Sequence, residues 1–137
     1  MATNAEADTA PPAGNTPFHA LGGHEVMQAI CNRFYDLMDE DPAYAELRAM
    51  HAPDLTRMRT SLAQFLAGWA GGPRDWFEAN PGRCMMSVHK PYTISREVAD
   101  QWADAMKRAI ADVAPANAAL GEQMTQILCD LARGMGR

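Results

Sequence analysis

Val26, Ile30, Phe34 and Leu37 recur at spacings of three and four, and Met27, Cys31, Tyr35 and Met38 form an adjoining stripe. Two such stripes make one wide apolar face at helical period. The run LGGHEVMQAICNRFYDLMDEDP is therefore predicted to be a helix that Pro42 stops or bends. The shorter AYAELRAMH has room for one or two turns before Pro53. In APDLTRMRTSLAQFLAGWAGGP, residues Leu55, Met58, Leu62, Phe65, Leu66 and Trp69 repeat the helical spacing. Asp54 is placed to cap that helix, and Gly71, Gly72 and Pro73 end it.

The next stretch, RDWFEANPGRCMMSVH, is mixed and punctuated by Gly and Pro, which predicts an irregular link and then a short helix from about Pro81 to His89. Pro91 disfavours the helical conformation in the residue before it. The short helix should thus end near His89 and leave that imidazole on its last turn. From Ser95 the helical pattern resumes through Val98, Trp102, Met106, Ile110 and Val113 until Pro115 breaks it. Asn117 is placed to cap a final helix lined by Leu120, Met124, Ile127, Leu131 and Met135. No alternating strand pattern and no internal repeat occurs, so the fold class expected is all-α, with five or six helices.

The chain has 137 residues, 47% hydrophobic and 21% charged, enough for a single domain with its own core. The opening MATNAEADTAPPAGNTP is rich in Ala, Pro, Thr and Asn, which predicts a disordered tail over residues 1–16 and a folded domain over 17–137. It has neither the basic start nor the apolar centre of a signal peptide, and no apolar run reaches the roughly 18 residues of a membrane span. A cytoplasmic protein without a membrane partner is expected. Net charge is −5, with Lys and Arg scattered, so the electrostatic footprint of a nucleic-acid binder is missing. Cys31, Cys84 and Cys129 are odd in number, form no CxxC pair and fall in segments read as helical, which predicts reduced, buried thiols. The ten methionines suit a core that fills irregular gaps.

Chemistry has few candidates. The four histidines, His19, His24, His51 and His89, make no HExxH or paired zinc spacing, and no nucleophile triad, dinucleotide or phosphate-loop fingerprint occurs. What remains is one well-placed histidine, His89, and several bulky groups that could surround a flat, apolar ligand.

Three motifs in order, FLAGWAGGPRDWFE, HKPYTI and QWADAM, resemble the second group of truncated haemoglobins over about residues 17 to 132. The resemblance implies a globin-like, truncated two-over-two helical sandwich around haem b. His89 matches the proximal iron ligand, the metal-binding residue. Tyr35 and Trp102 match the distal groups that face a bound ligand. At the turn before the second long helix, where the family carries an aromatic ring, either Met50 or His51 falls by alignment. His51 is taken there on chemistry, as a donor to the ligand or to Tyr35. Leu55, Met58, Leu62 and Phe65 are expected to wall the haem, with Met58 where other globins place a distal histidine. Met85 and Val88 should pack beneath it. The family commonly has an arginine just before the proximal histidine, binding a haem propionate. Val88 stands there, so Lys90, Arg57, Arg59 or Tyr92 must make that contact.

The function expected from the resemblance is binding of dioxygen and other diatomic ligands, NO and CO, in O2/NO or peroxide redox chemistry. An NO-dioxygenase or peroxidase-like activity would need a reductase as partner, and the chain would work as a monomer or homodimer. The reading from another class is a haem-free helical interaction or sensor module on a globin scaffold.

Overall fold

The computed structural model describes residues 16–84, 89 and 92–136. Residues 1–15 of the expected tail lie outside the described residues, whereas Thr16 is buried. Its side-chain oxygen accepts the His19 N–H and caps α1 (Pro17–Leu21), with Pro17 in the first turn, where a missing N–H is harmless. Gly22 turns the chain into α2 (Gly23–Glu40).

Pro42 stops α2 as predicted. The Asp41 carboxylate accepts the Ala43 N–H and caps a 3-10 turn, Pro42–Tyr44, that runs into α3 (Ala45–Ala49). Asp54 likewise accepts the Thr56 N–H at 2.9 Å at the start of α4 (Thr56–Trp69). That hydrogen bond to the ionised form holds the Asp54 carboxyl below its ordinary value. α5 (Asp75–Ala79) is a single turn and a half within the stretch expected to be an irregular link. Ser95 caps α6 (Arg96–Val113) through the Val98 N–H, and Asn117 caps α7 (Ala118–Met135) through the Leu120 N–H. Among the described residues there are thus seven α-helices, a 3-10 turn and no strand.

The helix expected to begin at Pro81 does not begin there. Asn80, Pro81, Gly82 and Arg83 form a turn closed by the Arg83 N–H on the Asn80 carbonyl at 3.1 Å. Pro stands at its second position and Gly82, with φ 75°, at its third, the arrangement of a type II turn. Cys84 follows outside any helix and is exposed, which corrects the expectation of three buried thiols; Cys31 and Cys129 are buried. Burial pushes the Cys31 thiol up to about 12, so it stays protonated. Residues 85–88 lie outside the described residues, and His89 is helical.

α2 packs on both α4 and α6, and α6 packs most extensively on α7. Two helix pairs, α2/α4 and α6/α7, therefore stack as a two-over-two sandwich, the expected architecture. The two predicted stripes of α2 are both buried, since Met27, Ile30, Cys31, Phe34, Tyr35, Leu37 and Met38 all lie in the core. A helix that touches two neighbours needs that wide face. Among the described residues, no helix is long and apolar enough to cross a membrane.

The Gly-Gly-Pro segment after α4 serves close packing. The Gly72 N–H bonds the Ala67 carbonyl at 2.8 Å, and the Phe18 N–H bonds the Ala70 carbonyl at 2.9 Å, which draws α1 against the end of α4. A Cβ on Gly72 would lie 2.6 Å from Cγ of the buried Phe18 ring. Gly72→Ala should therefore lower stability by about 1–3 kcal/mol, the usual cost of overpacking, read as a lower denaturant midpoint at unchanged m-value.

Candidate functional site

The four long helices do not close completely. Between them lies a cavity of about 530 Å³, bounded by Tyr35 of α2, by Leu47, Met50 and His51 at the end of α3, and by Met58, Ser61, Leu62, Phe65 and Leu66 of α4. Trp76, Asn80 and Arg83 follow from α5 and its turn, then His89, Tyr92 and Ile94. Val98, Ala99 and Trp102 of α6 and Leu128, Leu131, Ala132 and Met135 of α7 complete the wall. The volume falls within the range of about 300–1,000 Å³ typical of small-molecule and cofactor sites.

Of the expected site residues, the cavity brings together Tyr35, His51, Met58, Leu62, Phe65, His89, Tyr92 and Trp102. Leu55 is not among its lining residues. It sits at the N-cap of α4, one turn short of the cavity wall that begins at Met58, and its side chain is buried in the core. Met85 and Val88 lie outside the described residues. Met50 and His51 both line the cavity, but Met50 is 42% exposed whereas His51 is half-buried with its ring against Tyr35.

The polar groups are set by their neighbours. Tyr35, Phe34 and Trp102 form an edge-to-face series, with ring centroids 5.0 Å apart for Phe34 and Tyr35 and 5.1 Å apart for Phe34 and Trp102. His51 extends it at 5.8 Å from Tyr35. Such contacts fix ring planes. Tyr35 is 3% exposed, and burial, with the nearby Cys31, raises its phenol far above the ordinary value, against a smaller opposing effect of Arg59. The phenol therefore stays protonated. Neither its hydroxyl nor the indole N–H of Trp102 has a hydrogen-bond partner among the described residues.

His51 is differently held. Its Nδ1 lies 2.8 Å from the Leu47 carbonyl oxygen one helical turn earlier. The Leu47 N–H in turn donates to Oε1 of Gln101 on α6 at 3.0 Å, and the Gln101 amide donates to Glu46 at 3.1 Å. Burial lowers the His51 pKa from its ordinary value, against a smaller upward effect of the Leu47 carbonyl.

Two of the cations expected near the cavity are elsewhere. Arg59 is bound to Asp36 at 2.8 Å and to the Asn32 carbonyl at 2.9 Å, fastening α4 to α2. Arg57 is exposed and does not line the cavity. Lys90 lies outside the described residues. Arg83, carried by the turn after α5, lines the cavity instead, and it makes no ion pair among the described residues. The Asn-Pro-Gly-Arg turn could have been read from sequence, but not the side on which it delivers Arg83. Trp76 was also missed; it packs edge-on to Phe65 at 5.1 Å and extends the α4 wall. Val98, Leu131 and Met135 read as core stripe, and periodicity does not separate core from cavity wall.

Residues 16–136 match the family model described as bacterial-like globin. The chain is 30% identical over 96 residues to the group 2 truncated hemoglobin YjbI of Bacillus subtilis (strain 168), covering 70% of each chain. Among solved structures it is similar to a cold-adapted truncated hemoglobin from the Antarctic marine bacterium Pseudoalteromonas haloplanktis TAC125, with a TM-score of 0.83, 34% identity, and coverage of 90% of this chain and 98% of that one. A group II 2-on-2 hemoglobin from the plant pathogen Agrobacterium tumefaciens also gives a TM-score of 0.83, at 29% identity, with 96% and 98% covered.

Proposed function

The chain belongs to the bacterial-like globin family and, within it, to the group II truncated haemoglobins, and from that premise we propose that the cavity holds haem b through His89 and binds the diatomic gases O2, NO and CO. One observation carries this reading: a single cavity of about 530 Å³ is lined by a histidine and by two donors, the Tyr35 hydroxyl and the Trp102 N–H, that no described residue satisfies. A buried tyrosine hydroxyl ordinarily finds a partner, and one left without costs about 1–3 kcal/mol. A polar ligand in the cavity removes that cost. A haem-free interaction module gives the Tyr35 hydroxyl nothing to do.

Bound haem supplies an iron with a position for a small ligand. His89 would hold it with a neutral imidazole. Tyr35, kept protonated by burial, and Trp102, whose indole can only donate, would donate to charge developing on the ligand. Leu62, Phe65, Val98 and Leu128 would exclude water, which strengthens both hydrogen bonds. Two such donors, each worth about 0.5–1.5 kcal/mol, slow ligand escape, at about tenfold per 1.4 kcal/mol. Slow escape suits O2/NO or peroxide redox chemistry, with electrons from a reductase, better than oxygen unloading.

An optical spectrum tests the reading directly. Wild type should show an intense Soret band that shifts on reduction and again under CO, and His89→Ala should lose or grossly alter it. A colourless wild type that takes up no added hemin would end the haem proposal. Tyr35→Phe should raise the ligand dissociation rate by roughly tenfold, measured by stopped-flow displacement.

Arg83 is the one Lys or Arg among the described residues that lines the cavity, and it would bind a haem carboxylate in place of the arginine that Val88 replaces. Arg83→Ala should speed hemin transfer to an acceptor globin by about twofold to fivefold, as for an exposed ion pair worth up to about 1 kcal/mol. The dimethyl ester of the same porphyrin should transfer equally fast from both proteins, because it has no carboxylate to lose.

A further inference from the structure

We propose that His51 presents the cavity with a hydrogen-bond acceptor, not a donor, and that the site is thereby matched to small protic ligands, hydrogen cyanide and hydrogen peroxide being of this class, whose proton Nε2 receives. The inference rests on the haem reading above for the ligand's destination, while its central feature, the position of one proton, belongs to the chain alone.

A carbonyl oxygen has no proton to give. At 2.8 Å from the Leu47 oxygen, Nδ1 of His51 must carry the hydrogen of that bond. A neutral imidazole has one N–H, so Nε2, at the other side of the ring, is left with a lone pair. The opposite tautomer would set two lone pairs against each other at that distance. The Leu47 peptide cannot turn to avoid this. Its N–H is tied to Gln101, and its carbonyl also accepts the Met50 N–H at 3.1 Å.

Burial keeps the ring neutral near pH 7, and the groups around it do the same. Arg48 of α3 disfavours a second positive charge, and Tyr35 of α2 presents a protonated phenol. Arg48 is itself held by Asp39 and by the Ala52 and Pro53 carbonyls. The sequence-based expectation that His51 donates to the ligand is therefore reversed.

The consequence is a cavity with two donors and one acceptor. A ligand without hydrogen uses only Tyr35 and Trp102. A ligand H–X uses all three, because His51 takes the proton while the two donors stabilise the X⁻ that remains. For hydrogen cyanide the H–C bond breaks, its electron pair stays on cyanide, and the proton forms the new Nε2–H of an imidazolium, whose charge the adjacent anion offsets against the burial that otherwise keeps the ring neutral. Hydrogen peroxide gives its O–H proton in the same way and leaves HOO⁻. No oxidant or reductant enters either step.

Two measurements test it. Long-range ¹H–¹⁵N correlation on full-length protein with labelled histidine, at pH 7.5, should give the neutral Nδ1–H pattern for His51. An Nε2–H tautomer, or an imidazolium, would overturn the proposal. This is read whether or not the protein takes up hemin, so a colourless protein would end the haem reading and leave the tautomer to be judged by itself. On the ferric haem form, cyanide, almost wholly protonated at pH 7, is then compared with nitric oxide, which has no proton. In His51→Leu the ratio of the cyanide to the nitric oxide association rate should fall by at least about tenfold, as expected when a positioned base is removed. An unchanged ratio would show that His51 takes no proton.

Discussion

A cavity of about 530 Å³ is the constraint under which this chain folds. Side chains lining so large a space forgo the contacts they would make in a filled interior, and such contacts are a large part of what holds a domain together. The helices must therefore be held apart by something other than side chains meeting across the gap. Part of the answer is polar and lies outside the cavity. Arg59 fastens α4 to α2 through Asp36 and the Asn32 carbonyl, Gln28 reaches the Arg59 carbonyl at 3.2 Å, and Gln101 fastens α6 to α3. Part is aromatic, since rings in edge contact resist compression. The Phe65, Trp76 and Phe77 cluster props α5 against α4, while Phe34 props Trp102 against Tyr35. A ligand that fills the space adds contacts to a frame already built to span it.

What the sequence disclosed follows from this division. Helix ends were legible because their signals are local: Ser95 and Asn117 cap the helices they were expected to cap, and Asp54 satisfies the first turn of α4. The wide stripe on α2 was legible because burial on two sides leaves a doubled period. Leu55 was expected to wall the cavity and lies in the core beside it, whereas Val98, Leu131 and Met135 were read as core and line it, for one reason. An apolar position at helical spacing reports that it leaves water, and nothing in the spacing says whether it meets another side chain or a cavity. Arg83 escaped because its placement depends on the chain reversal at Pro81 and Gly82, which the helical reading of that stretch removed.

The direction of a hydrogen bond is a further step beyond the reach of sequence. Residue type made His51 a plausible polar member of the cavity, but an imidazole is donor or acceptor according to what its other nitrogen meets. Here that partner is a backbone carbonyl four residues earlier: α3 ends at Ala49, the His51 N–H turns to the Arg48 carbonyl, and the Leu47 oxygen, which accepts the Met50 N–H, takes the ring N–H where the next amide of a continuing helix would have stood. A longer α3 would have given that oxygen the His51 backbone N–H instead and freed the ring to adopt either tautomer. The short helix, cut off before Pro53, thus settles the polarity of the cavity.

Gln101 gives this local arrangement a wider bearing. It precedes Trp102 on α6, so neighbouring residues of one helix fix the Leu47 peptide and place the indole N–H. The acceptor on α3 and the donor on α6 are consequently referred to the same piece of rigid backbone, and Phe34 ties the indole to Tyr35 by ring contact. A shift of α6 relative to α2 would carry Trp102 and, through Gln101, the Leu47 peptide together, while Tyr35 would stay with α2. The spacing of the His51 acceptor from the Trp102 donor is thus held within one hydrogen-bonded unit, whereas their spacing from Tyr35 is set by how α6 packs on α2, where Phe34 stands between the indole and the phenol.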